Sequence, residues 1–161
     1  MVNRSFLLFL CAALCIGTPK ADEIGSVDTK FNLLSPDDEI AVDAFDDPKV
    51  EGVVCYLSRA RTGGFKGALG IAEDVSDASI DCSQVGPIKF KEELKDGEQV
   101  FHERRSLIFK KLQVVRFFDE KRNALVYLVY SDRIIEGSPK NSITTVAILP
   151  WPEPSPGAAS R

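Results

Sequence analysis

The sequence predicts a mainly β protein: a single antiparallel β domain, sandwich or small barrel, with at most one or two short helices. Three observations carry this expectation. Apolar and polar residues alternate with a period of two along much of the chain, which is the spacing of side chains on one face of a strand. The alternating runs are rich in Val, Ile, Phe and Tyr, and clusters of Gly, Pro, Asp and Asn separate them. Finally, Leu112 to Tyr130 reads as two such runs around a short polar loop, with apolar residues on both faces.

The chain has 161 residues, 44% hydrophobic and 27% charged, which is enough for one domain with a hydrophobic core and excludes disorder throughout. Residues 1–21 depart from that average. Arg4 precedes an apolar run from Phe6 to Ile16, which Gly17, Thr18 and Pro19 end before Ala21. This is the pattern of a secretory signal peptide, and the run is shorter than the ~20 residues a membrane span requires. Leu10 before Cys11 and Leu14 before Cys15 do not supply the small residue of a lipoprotein signal. The expected mature chain is therefore exported and without an integral membrane segment.

Loss of residues 1–21 removes Arg4 and Lys20 and takes the formal charge from −4 to −6, which disfavours nucleic acid as a partner. It also removes Cys11 and Cys15. Cys55 and Cys82 remain, and an oxidising compartment favours a disulfide between them.

In chain order, Ile24–Asn32 alternates as a first strand, and Ser35 to Asp38 forms a turn. Glu39–Phe45 is a second strand, ended by Asp46, Asp47 and Pro48. Val50–Ser58 is a third. Gly63, Gly64, Gly67 and Gly70 then keep any long helix from starting before residue 71, leaving room for a short one over Ala72–Ser79. Ala78–Val85 is expected to run as a strand through Cys82, with Pro87 restricting Ile88–Phe90 to an edge or a turn.

Lys91–Glu103 is charged, with a strand expected at Gln99–His102. The hairpin follows, with Phe118 set opposite Ala124 around the loop Asp119–Asn123. In that register Leu112, Val114, Phe118, Val126 and Leu128 share one face, and Val115, Phe117, Leu125, Tyr127 and Val129 the other. A hairpin apolar on both sides belongs inside a sheet rather than at its solvated edge. Gly137 to Asn141 is a turn, and Ser142–Leu149 a last strand. The domain is expected to span residues 22–151. Pro150, Pro152, Pro154 and Pro156 stop the fold, and residues 152–161 form a Pro-rich tail expected to be disordered.

The chemistry legible in the chain is sparse. With one histidine, His102, and no thiol outside the disulfide, multi-histidine zinc sites and a cysteine nucleophile are excluded. No G-x-S-x-G elbow accompanies His102, so no catalytic residues are assigned. Glu73, Asp74, Asp77 and Asp81 lack the spacing of an EF-hand loop and read as a solvated acidic face. No metal and no cofactor is expected.

One stretch concentrates cations and glycines. Arg59, Arg61 and Lys66 surround Gly63 and Gly64, and glycines let backbone N–H groups turn toward an anion while the cations supply charge. Residues two apart share a face of a strand, so Arg59 and Arg61 should point together and Tyr56 and Ser58 oppositely. Gly70 is followed by Ile71, so this is not a nucleotide-binding P-loop. The competing reading is a flexible turn whose cations pair with the acidic run from Glu73 to Asp81.

Several stretches together carry a family resemblance: ADEIGSVDT at Ala21 to Thr29, AFDDP at Ala44 to Pro48, RARTGGFKGALGIAED at Arg59 to Asp74, LQVVRFFDEKRNALVYLVYSD at Leu112 to Asp132 and EGSPKNSI at Glu136 to Ile143. In these residues the chain resembles the CreA family of exported proteins from Gram-negative bacteria. The resemblance implies a periplasmic protein of unassigned activity and supplies no mechanism. The reading it leaves is a non-enzymatic binding module for a small anion or a membrane-protein partner, acting through the Cys55–Cys82 loop. Two alternatives stand beside it. One is an envelope hydrolase using paired carboxylates drawn from Asp46, Asp47 and Asp77; the other is a structural, stress-tolerance protein without a small ligand.

Overall fold

The fold is that of a computed structural model, which describes residues 21–30, 38–61, 78–104, 110–133 and 140–152. Among the described residues eight strands form two four-stranded antiparallel sheets. The first has the order β1 (Asp22–Lys30), β2 (Asp38–Asp46), β3 (Val50–Arg61), β4 (Ala78–Phe90); the second has β5 (Glu98–Arg104), β6 (Lys110–Asp119), β7 (Ala124–Arg133), β8 (Asn141–Ala147). In both sheets every hydrogen-bonded neighbour is the neighbour in sequence, the commonest arrangement for antiparallel strands. The mainly β expectation holds, with a single 3-10 turn at Glu120–Arg122 among the described residues. The positions 72–77 of the expected short helix lie outside them, whereas Ala78 and Ser79 open β4.

One buried cluster joins the inner faces of the sheets: Phe45, Val53, Cys55, Leu57, Ile80 and Cys82 from the first, Phe101, Leu112, Val114, Leu125, Tyr127, Val129 and Val146 from the second. The Phe45 and Phe101 rings stack across it, centroids 4.7 Å apart. Burial alternates along β2 and β3, so the period-two pattern in the sequence is the inside and outside of the sheet.

Where β4 would leave an unpaired edge, β8 closes it with side chains. The Cys82 N–H donates to Thr144 Oγ1 at 3.2 Å. The Gln84 amide exchanges two bonds with the Leu149 backbone, at 2.9 and 3.0 Å, as a ladder residue would. Pro87 does not end its strand. Edge position and a bulge accommodate it, since β4 carries extra residues between Gln84 and Lys89 against the single Gly52. Gly52 has φ +84°, and a Cβ there would lie 2.5 Å from the Pro87 carbonyl oxygen.

The hairpin is observed, but its register is shifted by one residue from the expected one. Asp119, rather than Phe118, lies opposite Ala124, and Phe118 pairs with Leu125. The turn explains the shift. Asp119 Oδ1 accepts the Arg122 N–H at 3.1 Å, and Asn123 takes the left-handed conformation at φ 48°, which asparagine tolerates and which needs no further residue to reverse the chain. A one-residue shift exchanges the faces of one strand relative to the other. The core face is therefore Leu112, Val114, Arg116 and Phe118 with Leu125, Tyr127 and Val129, while Leu128 and Val126 are half-buried on the outer face. Both hairpin strands are interior to their sheet, as two apolar faces implied.

Candidate functional site

The Cys55–Cys82 disulfide forms as expected. The two residues lie directly opposite each other on β3 and β4, Cα atoms 4.0 Å apart, with both side chains in the core. Two turns of alternation further along β3, Arg59 and Arg61 point to the same inward side, with Tyr56 exposed on the other.

Each arginine meets carboxylates there. Arg59, 7% exposed, donates from Nε to Asp43 Oδ2 at 2.6 Å and forms an ion pair with Glu103 of the opposite sheet. Arg61 Nη1 contacts Glu23 at 2.6 Å and Glu39 at 3.1 Å, and its Nη2 reaches Asp43 at 3.4 Å. Hydrogen bonds from Ser26 and then Arg61 hold the Glu39 carboxyl below its ordinary pKa. The cluster thus binds β1, β2, β3 and β5 together, with four carboxylates around two guanidinium groups. Gly63, Gly64 and Lys66, the rest of the cationic stretch, lie outside the described residues, as does Asp77.

A second polar network was not legible in the sequence. Arg116 points inward from β6 with its side chain fully buried, and contacts both oxygens of Asp47 at 2.6 and 2.7 Å. Asp47 also accepts the Tyr127 hydroxyl at 2.9 Å and the backbone N–H groups of Lys49 and Val50 at 2.8 and 3.1 Å. Arg116 Nη2 continues to Glu98 at 2.8 Å, and Glu98 meets Lys49 at 2.6 Å. Burial pushes the Tyr127 hydroxyl's pKa far up, and the adjacent Asp47 charge adds to it. Burial is the largest influence on the Glu98 carboxyl and pushes it up, but the Lys49 hydrogen bond together with the Lys49 and Arg116 charges outweighs it and the net shift is downward. The available signal was Arg116 itself, a charge interrupting the alternation Leu112, Val114, Phe118.

Asp46 and Asp47 are adjacent and diverge. Asp46 is exposed on the outer face, while Asp47 is 2% exposed and saturated with donors, so the two do not oppose each other across a cleft. His102 sits half-buried beside Gln99, with Nδ1 2.8 Å from the amide nitrogen. No group of three or more His, Cys, Asp or Glu side chains placed to hold a metal occurs among the described residues. None of the described helices is long and apolar enough to cross a membrane.

The strand faces turned away from the core carry a different chemistry. On the first sheet Val27 lies opposite Ile40 and Ile40 opposite Ala60; Val42 follows on β2, then Ala44 opposite Tyr56. Val27 is 68% exposed, Ile40 44% and Tyr56 42%. Asp22, Asp46 and Asp81 stand exposed around them. On the second sheet Val115, Leu128 and Ile143 form one outward row and Phe117 and Val126 another.

Comparison with known proteins places these residues in context. A family model described as CreA protein matches residues 24–151. Protein CreA of Escherichia coli (strain K12) is 61% identical over 155 residues, covering 94% of this chain and 99% of its own length. Protein CreA of Escherichia coli O157:H7 matches to the same extent. No solved structure matches the chain significantly.

Proposed function

The chain belongs to the CreA family, and from that premise we propose that it is an exported periplasmic protein that acts by binding a partner rather than by catalysing a reaction. The observation that carries this reading is the distribution of polar groups. Among the described residues the buried charged side chains are matched to carboxylates or guanidinium groups, Arg116 to Asp47 and Glu98 and Arg59 to Asp43 and Glu103, and the half-buried Arg61 is matched to Glu23, Glu39 and Asp43. Catalytic groups, by contrast, are held ready for a substrate in a cleft, with pKa values tuned to exchange protons near neutrality. Meanwhile strand faces bearing Val, Ile, Phe and Tyr are open to solvent, which is the chemistry of recognition.

Export is supported by the basic and apolar composition of residues 1–21, and the buried disulfide is compatible with an oxidising compartment. The test is fractionation of cells expressing the full chain, followed by native purification and mass spectrometry. A shortened chain in the periplasmic fraction, with no thiol labelled after denaturation without reductant, and a co-purifying partner, is the expected result. A full-length cytoplasmic chain with two labelled thiols in its mature part rejects it.

A small anion remains a second ligand class, because Arg59 and Arg61 converge on one face at the end of β3, where the chain leads into Gly63, Gly64 and Lys66. An anion there must displace carboxylates from the arginines. Phosphate or sulfate raising the thermal midpoint of the wild type and not of Arg61→Gln would support this class; equal response of both proteins rejects it.

A further inference from the structure

We propose that the outer face of the β1–β2–β3 sheet is a docking surface for an extended polypeptide segment carrying apolar side chains between lysines or arginines. This rests on the partner-binding reading and assigns it a place and a chemistry. The face is built by register. Val27, Ile40 and Ala60 lie side by side across three strands; one step along are Val42 and Ser58, and another step brings Ala44 opposite Tyr56. Val27, Ile40 and Tyr56 each have more than two-fifths of their surface in water. Three strands ~4.8 Å apart and three such rows ~6.8 Å apart make roughly 300 Å² of mostly apolar sheet, within the range at which exposed apolar surface on a monomer is often functional.

Size and charge decide what fits. A stable globular partner needs about 800 Å² on each side, so this face suits a single segment rather than a whole domain surface. Alternation on β3 sends its two arginines inward to their carboxylates, and the charges exposed beside the apolar rows are Asp22, Asp46 and Asp81. The next row at the far end pairs Lys30 with Asp38. An acidic border attracts a cationic segment and raises its association rate. It repels an anionic bilayer surface. It also repels a second copy of itself, because the same aspartates would meet across a two-fold axis.

The segment can be caught in cells. The full chain is expressed with p-benzoylphenylalanine in place of Ile40 or, as a control on the other sheet, of Ile143, which is 62% exposed on its outer face. After irradiation, mass spectrometry identifies what is attached. The expected result is an adduct at position 40, absent or much weaker at position 143, joined to a polypeptide segment with Lys or Arg flanking apolar residues. Adding Asp46→Asn and Asp81→Asn should lower its yield at least fivefold. An adduct at position 143 alone overturns the assigned face while leaving a partner-binding protein. A lipid, a second copy of this chain or a segment without basic residues at position 40 overturns the assigned partner, and so does a yield indifferent to the aspartates. No adduct at either position removes both this proposal and the binding reading beneath it.

Discussion

The Arg116 guanidinium and the Asp47 carboxylate meet inside the protein with neither side chain exposed, Nη1 lying 2.6 Å from Oδ1 and 2.7 Å from Oδ2. Arg116 comes from the middle of one sheet and Asp47 from the turn between β2 and β3 of the other, so this pair fixes how the sheets are placed. Removing Asp47 would leave the buried Arg116 Nη1 and three further donors, the Tyr127 hydroxyl and the Lys49 and Val50 N–H groups, without their acceptor. Asp47→Ala is expected to cost about 3–5 kcal/mol in urea unfolding, whereas the paired replacement Asp47→Leu with Arg116→Met should recover part of the loss. Equal stability of Asp47→Ala and wild type would show that the pair does not organise the interior.

Tyr127 gives a pH-dependent counterpart. Its pKa is raised by burial and by Asp47, so the folded protein holds the phenolic proton more tightly than the unfolded chain, whose tyrosines ionise near pH 10. The contribution to stability is complete below about pH 10 and is lost as pH rises above it. Alkaline titration followed by tyrosinate absorbance should show one component that appears only with unfolding, and Tyr127→Phe should lack it.

The first strand should respond to acid. Within the described residues β1 is exposed on both faces, and besides its ladder with β2 it is tied by Glu23 to Arg61 and by Ser26 to Glu39. The Glu39 pKa is depressed, so its contribution is present above the unfolded value near 4.3 and is lost as pH falls through and below it. Amide exchange of β1 should accelerate below about pH 4 before that of β7, and Arg61→Gln should weaken this pH dependence without abolishing it, since the Ser26 hydrogen bond to Glu39 remains. Simultaneous loss of protection in both strands would contradict it.

The hairpin register separates two neighbouring leucines. Leu125 is fully buried against the core, and Leu128 is half-buried on the outer face. Leu125→Asp would bury an unpaired carboxylate and should cost several kcal/mol, enough to unfold a domain of ordinary stability. Leu128→Asp leaves its carboxylate within reach of water and should cost less than half as much. The reverse order in thermal or urea unfolding would restore the register with Phe118 opposite Ala124.

The strand pattern, the antiparallel hairpin and the disulfide are legible along the chain, because each depends on information local to a run of residues or on a pairing without alternatives. Period two along Val50–Ser58 identifies a strand and sends Arg59 and Arg61 to one side of it wherever the strand lies. Two thiols left in the expected mature chain allow one bond. The tertiary structure decided what those side chains meet. A single-residue difference at the Asp119–Asn123 turn set which hairpin face holds the core, since a strand's two faces exchange with every step of register. Asp47 reads as a turn residue until the opposite sheet brings Arg116 and Tyr127 to it from 69 and 80 positions away. Arg59 and Arg61 are matched by Glu23, Glu39, Asp43 and Glu103, whose proximity follows from strand order and sheet stacking. Charge neutralisation acts through space, and no spacing along the chain encodes it.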